Sequence, residues 1–390
     1  MSTPHAPHAS HSPQTRPTPE SELHLRTVTG PLACASVRGP ALAHEHLVLD
    51  LDLAGDGAAV LDADRHGASV RAELAALREE FELSLVIELT CRGMGRDPRA
   101  LARLSRETGV AVVAATGWYY EPFHPAELAR ASVEQLTALL VAEAGGDDDG
   151  GPGADGRPAD DGRPGDGDRP GTRTADTGTV GTGMDDTGTA DTGTVGTGTV
   201  GTGMDGTGIR PGVIGEVGSH GDVPSEPEAR SLRAAARAAR ATGLSVATHA
   251  QLGRGGLAQL DLLTGEGLPP HRVSVGHQDL LDDPAAHREL AAAGAYVAFD
   301  TVGKDSYQSD RTRLRLLLAL LEAGHADRIL LSCDISRHGY LRTEGGRGYG
   351  HLFRSFLPAA RAAGVDDDLI DLLTRRNPLR FLTGASPEEI

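Results

Sequence analysis

The sequence predicts a single-domain (β/α)8 TIM barrel, and three observations carry that reading. Short apolar runs alternate with amphipathic, Ala- and Leu-rich stretches along the 390 residues, the order expected of parallel strands joined by helices. Eight such runs are present, each followed by a helical stretch, as a closed barrel requires. Polar residues able to do chemistry stand at the carboxyl ends of these runs, where such a barrel carries its active site. A doubly wound open sheet is the alternative, but no Gly-rich phosphate-binding fingerprint follows the first run.

The first run leads into 43–47. The others are 85–90, 110–116, 212–217, 245–249, 273–277, 296–300 and 329–334. Helical patterns fill the gaps at 69–81, 98–108, 125–144, 227–242, 257–265, 284–293 and 311–324, with two more at 350–363 and 367–374. Asp97-Pro98 and Asp283-Pro284 each place a capping acceptor before a proline at the first helical position.

Two segments fall outside the pattern. Residues 1–22 are rich in Pro, His and Ser, have no apolar stretch of a secretory leader, and read as a disordered tail. His5, His8 and His11 recur there every third residue, which reads as composition before metal binding. Residues 145–208 read as a disordered Gly/Thr/Asp-rich insert with a period of five: DTGTV, GTGMD, DTGTA. It offers almost no apolar surface to offset the entropy of ordering. Between 145 and 205 there are 13 Asp and 4 Arg, a net of −9, half of the chain's −18. Calcium binding by an Asp-rich repeat is the functional alternative, but the nonapeptide spacing it needs is absent. Lying between the third helix and the fourth strand, the insert is assigned to the barrel face opposite the catalytic one. The barrel is therefore expected in two parts, 23–144 and 209–390.

Composition narrows the function. A net charge of −18 argues against a nucleic-acid partner. No run approaches the roughly 18 apolar residues of a membrane span. Three unpatterned cysteines, Cys34, Cys91 and Cys333, point to a reducing, cytoplasmic setting without disulfides.

The strongest local signal is His44-Glu45-His46 at the end of the first run. In a strand, residues i and i+2 share a face, so both imidazoles enter the barrel mouth while Glu45 points away. A lone His-x-His is more often a pair of satisfied core histidines. Here Glu216, His249, His277 and Asp334 end the fourth, fifth, sixth and eighth runs. Burying them unpaired would be expensive. Four histidines and two carboxylates from five strands fit a two-metal site better than a hydrogen-bond cluster.

At this point the chain resembles the phosphotriesterase family of the binuclear-metal amidohydrolase superfamily. The segments that carry the resemblance are GPALAHEHLVLD, TCRGMGRD, AATGWYYEPFHP, RPGVIGEVG, VATHA, VGHQD, FDTVGK, LLSCD and RRNPLRFL, spread over residues 25–383. The resemblance implies a hydrolase with two divalent ions, usually zinc. It implies that His44, His46 and Asp334 hold the first ion and His249 and His277 the second, with a strand-four side chain bridging them. Some members bridge with a carboxylated lysine. Here that position is Glu216, and Lys304, the single lysine among 37 basic residues, follows strand seven. A glutamate bridge keeps the site plausible and puts organophosphatase activity in doubt.

Two such cations can activate water and polarise a carbonyl or phosphoryl oxygen. Asp334 is then the candidate catalytic base, with a pure ligand role the equal alternative. Tyr119, after the third run, is a candidate substrate contact by the same resemblance, or else a rim plug. Lys304 is a second candidate, a solvated loop charge being the default. Trp118 and Tyr120 read as packing, Cys333 as a buried apolar residue, and 337–349 as a substrate lid or a plain crossing. The expected reaction is hydrolysis of a small ester, whether carboxylic, lactone or phosphoric. Amide hydrolysis, or a non-catalytic metal-binding barrel with a regulatory role, are the alternatives. A homodimer is compatible with this reading, and neither nucleic acid nor membrane is expected as a partner.

Overall fold

A computed structural model describes residues 23–145 and 203–390. Eight parallel strands form one sheet in chain order: β1 Ala41–Glu45, β2 Leu85–Glu88, β3 Ala111–Thr116, β4 Val213–Ser219, β5 Val246–Ala250, β6 Val273–Val275, β7 Tyr296–Phe299 and β8 Ile329–Leu331. Sequential parallel order with helices outside is the barrel topology. The helices are α1 Gly67–Phe81, α2 Pro98–Thr108, α3 Val133–Ala144, α4 Glu226–Thr242, α5 Gly256–Gly265, α6 Pro284–Ala292, α7 Asp310–Glu322, α8 Leu357–Ala362, α9 Asp367–Asp371 and α10 Asn377–Thr383.

The last seam, between β8 and β1, is closed by a side chain as well as by backbone. Asp334 N donates to His44 O at 3.3 Å. The buried Glu45 carboxylate accepts from Ser332 Oγ (2.7 Å), Cys333 N (2.8 Å) and Ile335 N (2.8 Å). Glu45 thus takes over hydrogen bonds that a ladder would otherwise make. Burial pushes its carboxyl up to about 7 despite these donors.

Two apolar cores follow from strand alternation. The inner one stacks Ala41, Ala43, Leu85, Ile87, Val113, Ala115, Tyr296, Ala298 and Leu330 inside the barrel. Its N-terminal end is sealed by Leu25 and Val37 and by Leu379, Phe381 and Leu382 of the last helix. The outer core packs strand residues such as Val86, Val112, Val246 and Val275 against the helices. A hairpin, His24–Thr27 with Gly30–Ala33, lies at the sealed end, a feature not expected from the sequence.

Several boundaries differ from expectation, each for a local reason. α3 begins at Val133 instead of 125 because Ser132 and Gln135 form a capping box; the preceding Ala126–Ala129 is a separate 3₁₀ turn. Asp97 and Asp283 cap α2 and α6 as expected. A single helical segment was expected at 350–363, and another at 367–374. The first instead contains a π turn, Leu352–Phe356, and the second runs into one, Leu372–Arg376, each just before a proline, Pro358 and Pro378. A proline removes the i→i−4 donor and crowds the preceding turn, which favours such widening.

The insert was drawn at 145–208. Gly145 instead caps α3, Met204 is fully buried, and Asp205 accepts from Arg96 at 2.9 Å, so these residues belong to the barrel. Residues 146–202, and the tail 1–22, lie outside the described residues. No helix among the described residues is long and apolar enough to cross a membrane.

Candidate metal centre

The site is built at the carboxyl ends of the strands. β6 and β8 stop earlier than expected, at Val275 and Leu331, so His277 and Asp334 sit just beyond them. Both adopt left-handed backbone conformations, φ 58° and φ 49°. Non-glycine residues there carry about 1–3 kcal/mol of strain, held by the surrounding fold, and such outliers cluster at functional sites. Gly215 allows β4 to lie close to β5: a Cβ at that position would sit 2.3 Å from Ala247 O.

Glu216 is the hub. Its Oε2 lies 3.1 Å from His249 Nδ1 and 3.5 Å from both His44 Nε2 and His277 Nε2. Its Oε1 lies 3.2 Å from His46 Nε2, which is also 3.4 Å from Asp334 Oδ1. His277 Nε2 and His249 Nδ1 face each other at 2.8 Å. All six groups are buried. The structure therefore brings together His44, His46, Glu216, His249, His277 and Asp334.

The two candidate substrate contacts reach the same place. Tyr119 is buried, its hydroxyl 3.1 Å from His249 Nδ1. Lys304 is not a solvated loop charge: it is 7% exposed, pairs with Asp334 Oδ2, donates to Ser336 Oγ at 3.0 Å, and lies 5.0 Å from the Tyr340 ring centre. Tyr120, read as packing, stacks on His249 and borders the cavity. The cavity over the hub has a volume of about 230 Å³. Tyr119, Tyr120 and Phe123 line one side, and Lys304, Ser336 and Arg337 another.

The loop 337–349 is pinned. The buried Glu73 carboxylate of α1 accepts from Arg342 N (2.7 Å) and Tyr349 N (3.1 Å), and Tyr349 donates its hydroxyl to His46 O at 2.7 Å. Cys333 is buried as expected, and burial raises its thiol; Cys91, also buried, is raised likewise.

Electrostatics follow the geometry. Burial opposes charge on the histidines, but Asp300 and Glu216 outweigh it at His44 and raise that ring well above its ordinary value. The same contest lifts His46 to about 9, through Asp334 and Glu216. It lifts His277 to about 10, chiefly through Asp300. His249 is lowered by burial and by the neighbouring His277. Glu216 and Asp334 are held low against burial, Glu216 by the histidines around it and Asp334 chiefly by Lys304.

Sequence reasoning missed the groups behind the ligands. Asp300 ends the seventh run as the ligands end theirs, and that position was the available signal. Its Oδ2 lies 2.7 Å from His44 Nδ1 and its Oδ1 2.9 Å from His277 Nδ1. Thr90 Oγ1 stands 2.9 Å from His46 Nδ1 and donates to Glu88 Oε1 at 2.6 Å. Gln251 Oε1 lies 2.7 Å from His249 Nε2. No local pattern marked Thr90 or Gln251.

The donor set fits divalent cations. Imidazole and carboxylate atoms at the ends of four strands lie within 4.8 Å of one another in two groups that share Glu216: His44, His46 and Glu216, and Glu216, His249 and His277. His44 Nε2 and Asp334 Oδ1 are buried and make no hydrogen bond among the described residues. Each ring has an outer partner on the nitrogen that faces away from Glu216. For His44 and His277 that partner is a carboxylate, and for His46 and His249 a hydroxyl and an amide oxygen, the kind of outer support that orients metal-binding histidines.

The phosphotriesterase family profile matches residues 23–151 and 195–382. The chain belongs to the phosphotriesterase family. It is 31% identical over 350 residues to the phosphotriesterase homology protein of Escherichia coli, covering 88% of this chain and 97% of that one. The crystal structure of that protein, complexed with phosphate in its active site, superposes with a TM-score of 0.72 over 89% of this chain and 99% of that one, at 32% identity. The N-acetyltaurine hydrolase of Danio rerio is 27% identical, covering 80% of this chain and 78% of its own length. The organophosphorus hydrolase of Deinococcus radiodurans has a TM-score of 0.70 and 27% identity, over 95% of this chain and 100% of that one. Family membership supports a hydrolase with candidate metal-binding groups at the barrel mouth.

Proposed function

We propose that this chain hydrolyses ester bonds (carboxylic ester, lactone or phosphotriester) with two divalent ions, zinc by preference. The carrying observation is the convergence of four buried imidazoles on the single carboxylate of Glu216, with Asp334 joined to the cluster through His46. In this reading His44, His46 and Asp334 hold one ion, His249 and His277 the other, and Glu216 is shared. When bound, two such ions lower the pKa of water and polarise the scissile carbonyl or phosphoryl oxygen. Asp334 presents Oδ1 to the centre and takes up a proton there, while Lys304 engages Oδ2. Tyr119, Tyr120 and Phe123 shield the site from water, and Tyr119 and Lys304 contact the substrate. A cavity of about 230 Å³ suits a small substrate.

A second reading is amide hydrolysis, favoured by the relative named for N-acetyltaurine, an N-acyl amine. Metal content and turnover on a panel of lactones, aryl esters, phosphotriesters and N-acetyl amines test both. About two zinc ions per chain and chelator-sensitive ester turnover are expected. Faster turnover of the N-acetyl amines would select the second reading. Zinc-saturated protein with one ion or none, or with no hydrolysis at all, would overturn the proposal.

A further inference from the structure

Among the described residues, Asp300 is the one outer partner that touches both halves of the proposed centre. It is 1% exposed at the end of β7, and it reaches His44 after crossing the β8 position of the barrel. Oδ2 meets Nδ1 of His44 at 2.7 Å. Oδ1 meets Nδ1 of His277 at 2.9 Å and also accepts the His277 backbone N–H at 2.9 Å. An ionised carboxylate only accepts, so both Nδ1 atoms carry a proton, and Nε2 is the nitrogen left to offer a lone pair whenever either ring is neutral. Those two Nε2 atoms lie at the same distance, 3.5 Å, from the same oxygen of Glu216. The two rings are stacked with centres 5.2 Å apart, so a tilt of either is felt by the other.

The other outer partners act on one ring each: Thr90 on His46, and Gln251 on His249. Asp300 is itself held from behind. Its N–H donates to Asp279 Oδ1 at 3.3 Å, and Asp279 Oδ2 accepts from Thr301 Oγ1 at 2.5 Å and from Arg313 Nε at 2.6 Å. Arg313, on α7, is 0% exposed.

We infer that Asp300 is a positioning residue that couples the two ion sites, so that orienting His44 for one ion orients His277 for the other. The inference rests on the two-ion reading above. An outer partner of a metal-bound histidine is worth typically about 10–100-fold in affinity. Removing Asp300 should therefore weaken both ions by about that factor, whereas Thr90→Val and Gln251→Ala should each weaken one.

The test is zinc release from the loaded full-length protein against graded chelator, with zinc counted per chain. Wild type should release both ions in a single cooperative step. Asp300→Asn should release both at chelator concentrations lower by about 10–100-fold. Thr90→Val and Gln251→Ala should split the release into two steps. An Asp300→Asn protein that weakens only one ion, or neither, overturns the coupling. If that variant does not fold, Asp300→Glu, which keeps the charge but changes the reach, is titrated in its place: weakening of both ions supports the inference, and weakening of one or neither overturns it. Wild-type protein that never holds two ions would instead sink the two-ion reading, so the two failures are distinguishable.

Discussion

The two ends of the barrel are made by the same eight strands and carry opposite chemistry. At the carboxyl end, buried histidines and carboxylates crowd around Glu216, and two of them sit in strained backbone. At the amino end, Leu25, Val37, Leu379, Phe381 and Leu382 form an apolar plug. Polar groups that would be costly without a cation are concentrated where loops can shape a pocket, and stability is drawn from the sealed end. Stability and chemistry are thereby kept on separate residues, and substitutions at the two ends should be separable by measurement.

The largest effect is expected at the hub. In the proposed two-ion reading Glu216→Gln removes the charge shared between two dications, so turnover should fall by more than the roughly 100-fold typical of losing an outer partner, with loss of bound metal. Metal counting beside turnover checks it, and a variant that keeps both ions and full activity would force the site to be redrawn. Because position 216 is not lysine, assembly from metal-free protein should not depend on added bicarbonate.

The opposite end should respond the other way. Phe381→Ala opens a cavity in the plug and should cost about 3–5 kcal/mol of unfolding free energy, with metal content unchanged. Denaturant unfolding followed by metal analysis reads both, and loss of metal without loss of stability would erase the contrast between the ends.

Glu73 lies between these cases, since it ties the 337–349 loop to α1. A neutral glutamine can accept from only one of the two backbone donors, so Glu73→Gln should cost about 1–3 kcal/mol and speed tryptic cutting at Arg342 and Arg347. Burial raises the Glu73 carboxyl above its ordinary value. Between the ordinary value and the raised one the native state binds more protons than the unfolded chain, so the Glu73 contribution to stability declines as pH rises through that window. The variant should flatten that slope, and unfolding curves across the acidic range would show a parallel slope if Glu73 is not the source.

The smallest effects concern a helix end and the insert. Asp97→Ala should cost about 1 kcal/mol through the lost cap of α2, with turnover intact. Excising residues 147–201 should leave both stability and turnover within about 0.5 kcal/mol of wild type, since their composition offers little apolar surface. Thermal melts and rate assays check the pair, and a large loss in either would show that the excised residues contribute to the fold.

Periodicity was enough to order the eight strands and their helices, because alternation and the 3.6-residue repeat are local consequences of what each element buries. The clustering of the candidate site residues was legible for a related reason: each is polar and stands where an apolar run stops. Strand ends were less legible. His277 and Asp334 continue the apolar runs in sequence but leave the strand in left-handed conformations imposed by their neighbours. Capping at Ser132 and the π turns before Pro358 and Pro378 were likewise present in the residues but overridden in the reading by longer helical patterns.

The sequence by itself therefore determined the barrel, the end at which the candidate site residues gather, and that position 216 is a glutamate and so cannot be a carboxylated lysine. Only the tertiary structure decided which groups stand behind the ligands. Asp300 is 256 positions from His44 and meets it because barrel closure brings β7 within reach of β1. The burial of Lys304 against Asp334, the anchoring of the 337–349 loop by Glu73, and the closing of the last seam by Glu45 are of the same kind. Each rests on long-range hydrogen bonds or ion pairs whose partners are chosen by where the closed sheet places them, and no local pattern of residues encodes that choice.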